Sequence, residues 1–345
     1  MSCPRTPLAA NRIIGKFLLF LSRGTSPAKA WWLARRDALK QADYRRVPLS
    51  DLAAAWEAAG AWSDFSVSEG TIVSRRLGLP LRAGSLVAQC YPTLVALADR
   101  RFVATLSEEG VVITDGRIRI RASTEEEFSI LQEIFVERNY CFQLPGSWTV
   151  LDIGANVGIA SLYFAAQPGV HQVIAFEPFP ATADLFEAQM ALNPELAAKI
   201  SLLRFGLDAA DGTFEASYVP ALRGSMSIHG LGAWRGGTEA TGNRTTVAVR
   251  RASKVLEELA PRLANKPILA KIDCEGSEYG ILRDLDATRA IDRIDAIVME
   301  WHQHGPDELV AILLKNDFVV YHRGLGEGSP LGLITAVRRV RRSGD

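Results

Sequence analysis

After Ser147 the chain alternates short apolar runs with amphipathic segments, and that alternation leaves few folds open. Runs that are apolar on both faces belong to a mostly parallel sheet covered by helices on either side. The pattern predicts strands over Thr149–Ile153, Gln172–Phe176, Ile200–Phe205, Ile268–Asp273, Ala296–Glu300, Phe318–His322 and Gly332–Val337. Helices are predicted in IASLYFAA, PATADLFEAQMALN, GSEYGILRDL and DELVAILLKN, after the first, second, fourth and fifth of these strands. About sixty residues separate the third and fourth strands, with GSMSI and TTVAVRR as candidate extra strands. An insertion of that length usually serves a site.

In such a sheet a ligand sits beyond the carboxyl ends of the strands, where the winding direction reverses. The stretch DIGANVG falls at that point. Asp152 ends the first strand, Gly154 allows the turn, and Gly158 lets the next helix pack closely. The spacing is Asp-x-Gly-x-x-x-Gly, whereas a dinucleotide site wants Gly-x-Gly-x-x-Gly to close bare N–H groups on a pyrophosphate. Asn156 stands in place of the middle glycine, and a carboxylate beside the loop repels phosphates. No Gly-Lys-Ser/Thr follows, so the loop is not a P-loop. An acid here suits a nucleoside carrying a sulfonium and an ammonium group, which is S-adenosyl-L-methionine. Glu177, at the end of the second strand and 19 residues after Gly158, is placed to accept both ribose hydroxyls. Asp208, after the third strand, stands at the height of the adenine and can accept from its exocyclic amine.

The remainder of the chain narrows the class. Lys+Arg and Asp+Glu each number 39, so no basic excess points to nucleic acid. The first fifty residues nevertheless hold ten Lys/Arg against Asp37 and Asp43. This basic segment, with RIIGKFLLFLSRG, either packs on its own domain or lies along an anionic membrane surface. Its apolar run is too short for a signal peptide or a membrane span, so a cytoplasmic location is expected. The four cysteines, at 3, 90, 141 and 274, have neither disulfide-framework nor zinc spacing, and no metal ligands are assigned. Residues 1–100 read as a mainly helical extension of unknown role, from SDLAAAWEAAGAW and SLVAQCYPTLVALADR. Residues 101–345 read as the second domain, with a hairpin and helix lead-in over 101–146 and a catalytic core over 147–338.

VLDIGANVGIASLYFA, AFEPFP, ALNP, KIDCEGSEYGIL and IVMEWH, in this order, resemble the FkbM family of S-adenosylmethionine-dependent methyltransferases. The resemblance spans about Thr124 to Val337. It implies the class I methyltransferase fold, a Rossmann-like seven-stranded sheet with helices on both faces and an antiparallel seventh strand. It also implies methyl transfer to hydroxyl groups of sugars, glycolipids or secondary metabolites. Carried over residue by residue, the cofactor site is Asp152, Gly154, Asn156, Gly158 and Glu177, and the family signature is Lys271, Asp273, Glu275, Gly276 and Glu278.

Methyl transfer from a sulfonium is an in-line displacement that needs an aligned acceptor oxygen and a destination for its proton. Asp273 ends the fourth strand and Glu275 opens the next helix. A carboxylate there can orient the acceptor hydroxyl, take its proton, or hold a divalent metal. Glu275 can equally be a favourable charge on a helix N-terminus, with Lys271 as its partner. Glu300, His302 and His304 face the same rim, and His302 is the candidate general base. Cys274 is expected to be a small packed thiol. Two other classes remain open on the sequence, a non-catalytic binder of the cofactor and a dinucleotide-dependent oxidoreductase. The expected partner is a small-molecule or glycan hydroxyl acceptor.

Overall fold

The computed structural model describes residues 65–68, 71–81, 85–142, 146–227, 243–263, 266–325 and 330–339. The basic segment before residue 50 and the predicted helix in SDLAAAWEAAGAW lie outside them. Packing divides the chain into two compact units, one ending at Glu137 and the other beginning at Arg138. The sequence pattern places a boundary near residue 100.

The described residues of the first unit hold strands as well as helices. Phe65–Ser68, Thr71–Ser74 and Leu79–Leu81 form an antiparallel three-stranded sheet. The β-branched side chain of Val73 favours the pleat. The Arg75–Gly78 turn closes with the Gly78 N–H on the Ser74 carbonyl at 2.8 Å. Short helices at Leu86–Gln89 and Tyr91–Ala98 follow. A second antiparallel sheet joins Val103–Ser107, Gly110–Thr114 and Arg119–Ala122. The helix Glu125–Leu131 then opens on a capping box, in which Thr124 and Glu127 satisfy each other's free N–H groups.

The second unit is built on one seven-stranded sheet. Its strands are β1 (Trp148–Ile153), β2 (Val170–Phe176), β3 (Ile200–Leu203), β4 (Ile268–Ile272), β5 (Ala296–His302), β6 (Phe318–Gly324) and β7 (Leu331–Arg338). The spatial order is β6-β7-β5-β4-β1-β2-β3. All neighbours pair in parallel except β7, which runs antiparallel to both β5 and β6. This is the class I methyltransferase order, and all seven predicted strands are present. The helices are α1 (Ile159–Ala165), α2 (Pro180–Ala191), α3 (Ala252–Leu263), α4 (Glu278–Ala287) and α5 (Asp307–Lys315).

Burial explains why the sequence takes this form. Every residue of β1 and β4 is buried, as a central strand with helices on both faces requires. One face packs Leu151, Ile153, Ala270 and Ile272 against Leu256, Ile281 and Leu282 of α3 and α4. The insertion adds a small sheet of Gly206–Asp208, Gly212–Tyr218 and Asn243–Arg251. TTVAVRR is therefore a strand, but the described part of GSMSI, Gly224–Ser227, is not. Pro220–Ser225 is a 3-10 turn, because Pro220 has no N–H to give a ladder, and Gly212–Tyr218 supplies the pairing strand.

One pairing in the sheet is unusual. Asp152 of β1 lies opposite Lys271 of β4, and both are almost wholly buried. Lys271 Nζ is 3.2 Å from Asp152 Oδ1, so the core contains an ion pair that compensates itself. Removing one member of such a pair leaves a bare charge and typically costs about 3–5 kcal/mol. Lys271→Met should therefore lower the unfolding free energy by about that amount, read by urea unfolding with Trp148 and Trp301 fluorescence. The double change Lys271→Met with Asp152→Leu should recover much of the loss. An unaltered single variant would overturn the ion pair's structural role.

Candidate active site

The loop between β1 and α1 is shaped by two backbone requirements. Gly154 has φ +79°, and a Cβ there would fall 1.8 Å from the Asp273 carbonyl oxygen, so no other residue fits without moving β4. Gly158 has φ +85°, and a Cβ would strike the Phe186 ring of α2 at 2.2 Å. Between them Asn156 takes a left-handed backbone at φ +50°, and its side chain accepts the Val157 N–H at 2.7 Å. An asparagine tolerates that conformation better than most residues. The Gly154 and Ala155 N–H groups both donate to the Phe176 carbonyl, at 3.1 and 2.9 Å, which ties the loop to the end of β2.

Glu177 stands next along the chain and holds this loop from the other side. Its Oε2 accepts the Asn156 N–H and its Oε1 the Phe179 N–H, each at 2.9 Å. Burial pushes its carboxyl up to about 7, against the pull of those two N–H groups and of the Lys271 charge. Each oxygen keeps a further lone pair for a donor from outside.

The structure puts Asp152 and Asp208 in different settings from those the sequence suggests. The Asp152 carboxylate is turned into the protein, where Oδ2 accepts the Ser161 hydroxyl at 2.5 Å and Oδ1 faces Lys271. It shapes the loop from beneath. Asp208 Oδ2 accepts the Ser277 hydroxyl at 3.2 Å, and Gly280 leaves room for Oδ1. It thus ties the third-strand loop to the start of α4.

Lys271 organises the signature. Its ammonium donates to the Gly154 carbonyl at 2.6 Å and lies 3.5 Å from Asp273 Oδ2 as well as beside Asp152. Burial alone would lower its pKa, but the charges of Asp152 and Asp273 outweigh burial and keep it protonated. Its ion-pair partners are thus Asp152 and Asp273, not the Glu275 that proximity in sequence suggests. The Tyr140 hydroxyl donates to Asp273 Oδ2 at 2.9 Å, and the Lys271 ammonium sits 5.7 Å over the Tyr140 ring. Tyr140 lies 133 residues before Asp273 and carries no motif that would mark it. Although burial opposes it, the charges of Lys271 and His302 with the Tyr140 hydrogen bond hold Asp273 below the usual carboxylate range.

The turn after β4 is clamped by Glu278, which is fully buried. Its Oε1 accepts the Cys274 N–H at 2.9 Å and its Oε2 the Gly276 N–H at 2.8 Å. Oε1 is also 3.0 Å from His302 Nδ1. This grip holds Glu275 in a left-handed backbone, φ +56°, that carries its carboxylate toward β5. Glu275 Oε2 lies 3.7 Å from His302 Nε2, and Asp273 Oδ1 and Glu300 Oε1 each lie 4.0 Å from it. Burial would lower the His302 pKa, but the Glu278 hydrogen bond and the charges of Glu278, Glu275 and Asp273 raise it to about 10. Near neutral pH the imidazole therefore carries its proton and is not a ready base. His304 packs edge-on against Tyr279 at 5.3 Å. Cys274 packs on the main core, and burial raises its thiol pKa well above the ordinary value.

The geometry thus gathers Asp273, Glu275, Glu300 and His302 at one rim, beyond the ends of β4 and β5. Asp152, Gly154, Asn156, Gly158 and Glu177 lie at the ends of β1 and β2. No helix among the described residues is long and apolar enough to cross a membrane.

Residues 152–320 match the family described as Methyltransferase FkbM domain. The chain is similar to Methyltransferase sdnD of Sordaria araneosa, 28% identical over 234 residues that cover 61% of this chain and 89% of the relative. It is also similar to Methyltransferase 1 of Beauveria bassiana, 29% identical over 191 residues, 52% of this chain and 74% of that one. Among solved structures, a methyltransferase FkbM from Methylobacillus flagellatus is 15% identical with a TM-score of 0.38, covering 59% of this chain and 47% of its own. Residues 152–320 therefore carry a methyltransferase FkbM domain, the domain of a family of S-adenosylmethionine-dependent methyltransferases.

Proposed function

We propose that the enzyme transfers a methyl group to a hydroxyl oxygen of a small molecule or glycan, with a sugar, glycolipid or secondary metabolite as acceptor. The observation that carries this reading is the rim of three carboxylates and one imidazole beyond β4 and β5. Those groups can grip a hydroxyl and receive its proton, and they offer no basic surface to a nucleic acid. A stretch of the AMB antimetabolite synthetase AmbE of Pseudomonas aeruginosa supports a metabolite acceptor. It is 27% identical over 252 residues, 59% of this chain and 11% of that protein.

The residues at the ends of β1 and β2 fit the cofactor by their chemistry. The Glu177 carboxylate disfavours a pyrophosphate and has lone pairs left for the ribose diol, while Asp152 shapes the loop from beneath. S-adenosylmethionine supplies an electrophilic methyl on a sulfonium. In this reading Glu177 would accept the ribose hydroxyls and the Gly154–Gly158 loop would receive the methionine end, while Asp208 holds the third-strand loop to the start of α4. Asp273 and Glu275 orient the acceptor hydroxyl. As the new oxygen–carbon bond forms and the carbon–sulfur bond breaks, the hydroxyl proton would pass to one of the rim carboxylates.

Asp273→Asn keeps size and removes charge, so turnover should fall by about a hundredfold or more while cofactor affinity changes little. Incubation with methyl-labelled cofactor and cell extract, followed by identification of the labelled product, checks both the acceptor and this loss. Label on a nitrogen or carbon atom would reject the oxygen reading.

The raised Glu177 pKa gives a second outcome. Its carboxylate form is needed to accept hydroxyl donors, so cofactor affinity should rise as pH increases through about 7. The unliganded fold follows the opposite sign. Burial penalises the charge, so the stability associated with Glu177 is present below the ordinary carboxylate range and is lost as pH rises through about 7. Calorimetric titration between pH 6 and 8 should find the affinity trend in the native enzyme and its absence in Glu177→Gln. A trend that persists in the variant would assign it to another group.

A further inference from the structure

The rim carries a feature that hydroxyl binding does not use. His302 Nε2 faces Asp273, Glu275 and Glu300 at 3.7–4.0 Å, beyond the 2.7–3.2 Å of a hydrogen bond. Ligand atoms that share one ion with bonds of about 2.0–2.2 Å stand roughly 3–4 Å apart, and these separations fall in that range. One oxygen each from Asp273 and Glu300 and one nitrogen of His302 lie within 4.8 Å of one another. Glu300 and His302 are two residues apart on β5 and so share a face of the sheet.

Independent support comes from what holds these groups. His302 is buried, and its Nδ1 is turned onto the fully buried Glu278 carboxylate at 3.0 Å. A carboxylate behind an imidazole fixes the ring and aims the far nitrogen, which is the usual support of a histidine metal ligand. Asp273 is held in the same way. Tyr140 and Lys271 engage Oδ2, which leaves Oδ1 directed at the rim. Both ligands are thus pre-oriented from behind, and their inward atoms converge on one point.

We propose that Asp273, Glu300 and His302 bind one divalent transition-metal cation, with Glu275 beside it and Glu278 as the positioning residue of the imidazole. One nitrogen with two or three carboxylate oxygens suits manganese, iron(II) or zinc, and it is less suited to calcium, which takes six to eight oxygens. The cation would take the Nε2 lone pair in place of a proton. Its existence needs nothing from the methyl-transfer reading. Its use, to bind the acceptor oxygen and make that hydroxyl more acidic, rests on that reading.

The test uses the full chain, stripped with EDTA and desalted, and titrated with manganese(II) while the free ion is followed by electron paramagnetic resonance. One ion per chain should bind saturably. Asp273→Asn and Glu300→Gln, which keep shape, should each weaken it at least about tenfold. Glu278→Gln should weaken it by about 10–100-fold while leaving the number of sites at one. Affinity for S-adenosylmethionine, measured on the same samples, reports that each variant is folded. Absence of saturable binding up to millimolar manganese would overturn the proposal, as would equal affinity in the native chain and in both isosteric ligand variants. If the ion binds as expected but labelled methyl transfer is indifferent to EDTA, the site stands and its catalytic use falls. If the ion binds and no oxygen-methylated product forms, the acceptor reading fails and the site again stands.

Discussion

A single buried ammonium links the two halves of the site. Lys271 reaches Asp152 on the neighbouring strand, the Gly154 carbonyl in the cofactor loop and Asp273 at the rim. A charge in this position is tolerable only because its donors meet acceptors on three sides. The arrangement has a structural return. The loop that faces the cofactor and the carboxylate that faces the acceptor share one cation, so their separation is set by a rigid lysine in a strand buried from end to end. Methyl transfer is sensitive to distances of that kind, since alignment provides much of its rate.

The sheet was legible because a fully buried strand has a sharp sequence signal. VLDI, VIAF, ILAKI and AIVME are apolar runs of strand length, bounded by turns or helices, and each became a central strand. Asp152 and Lys271 interrupt two of those runs. Their pairing across the register is a long-range property that a local pattern does not carry, so the sequence marks Asp152 as a site residue without showing its partners Lys271 and Ser161. Tyr140 was hidden for a related reason. Nothing near it in sequence signals chemistry, and only the fold brings its hydroxyl to Asp273.

Elsewhere local signals competed. The strands of Phe65–Leu81 follow a sequence whose alanine-rich pattern reads as helical, where short β-branched segments are easily overlooked. GSMSI is a candidate strand on the sequence, but Pro220 turns the chain just before it and Gly212–Tyr218 pairs with Asn243–Arg251 instead. His302 is a different case. Its position at the rim follows from its place at the end of the fifth strand, but its charge depends on the sum of Glu278, Glu275 and Asp273 around it, and no one-dimensional pattern reports that sum.

The signature segment can then be understood as one mechanical unit with separate duties. Asp273 ends β4 and divides its two oxygens between the interior and the rim. Glu275 needs a left-handed backbone to turn its carboxylate toward β5, a conformation costly for a residue with a Cβ. Glu278 offsets that cost by accepting the N–H groups on either side of Glu275, from Cys274 and Gly276. The same carboxylate also orients His302. The strained turn and the aimed imidazole are therefore one arrangement. A change at Glu278 releases both, whereas a change at Glu275 removes a charge and leaves the turn and the ring in place.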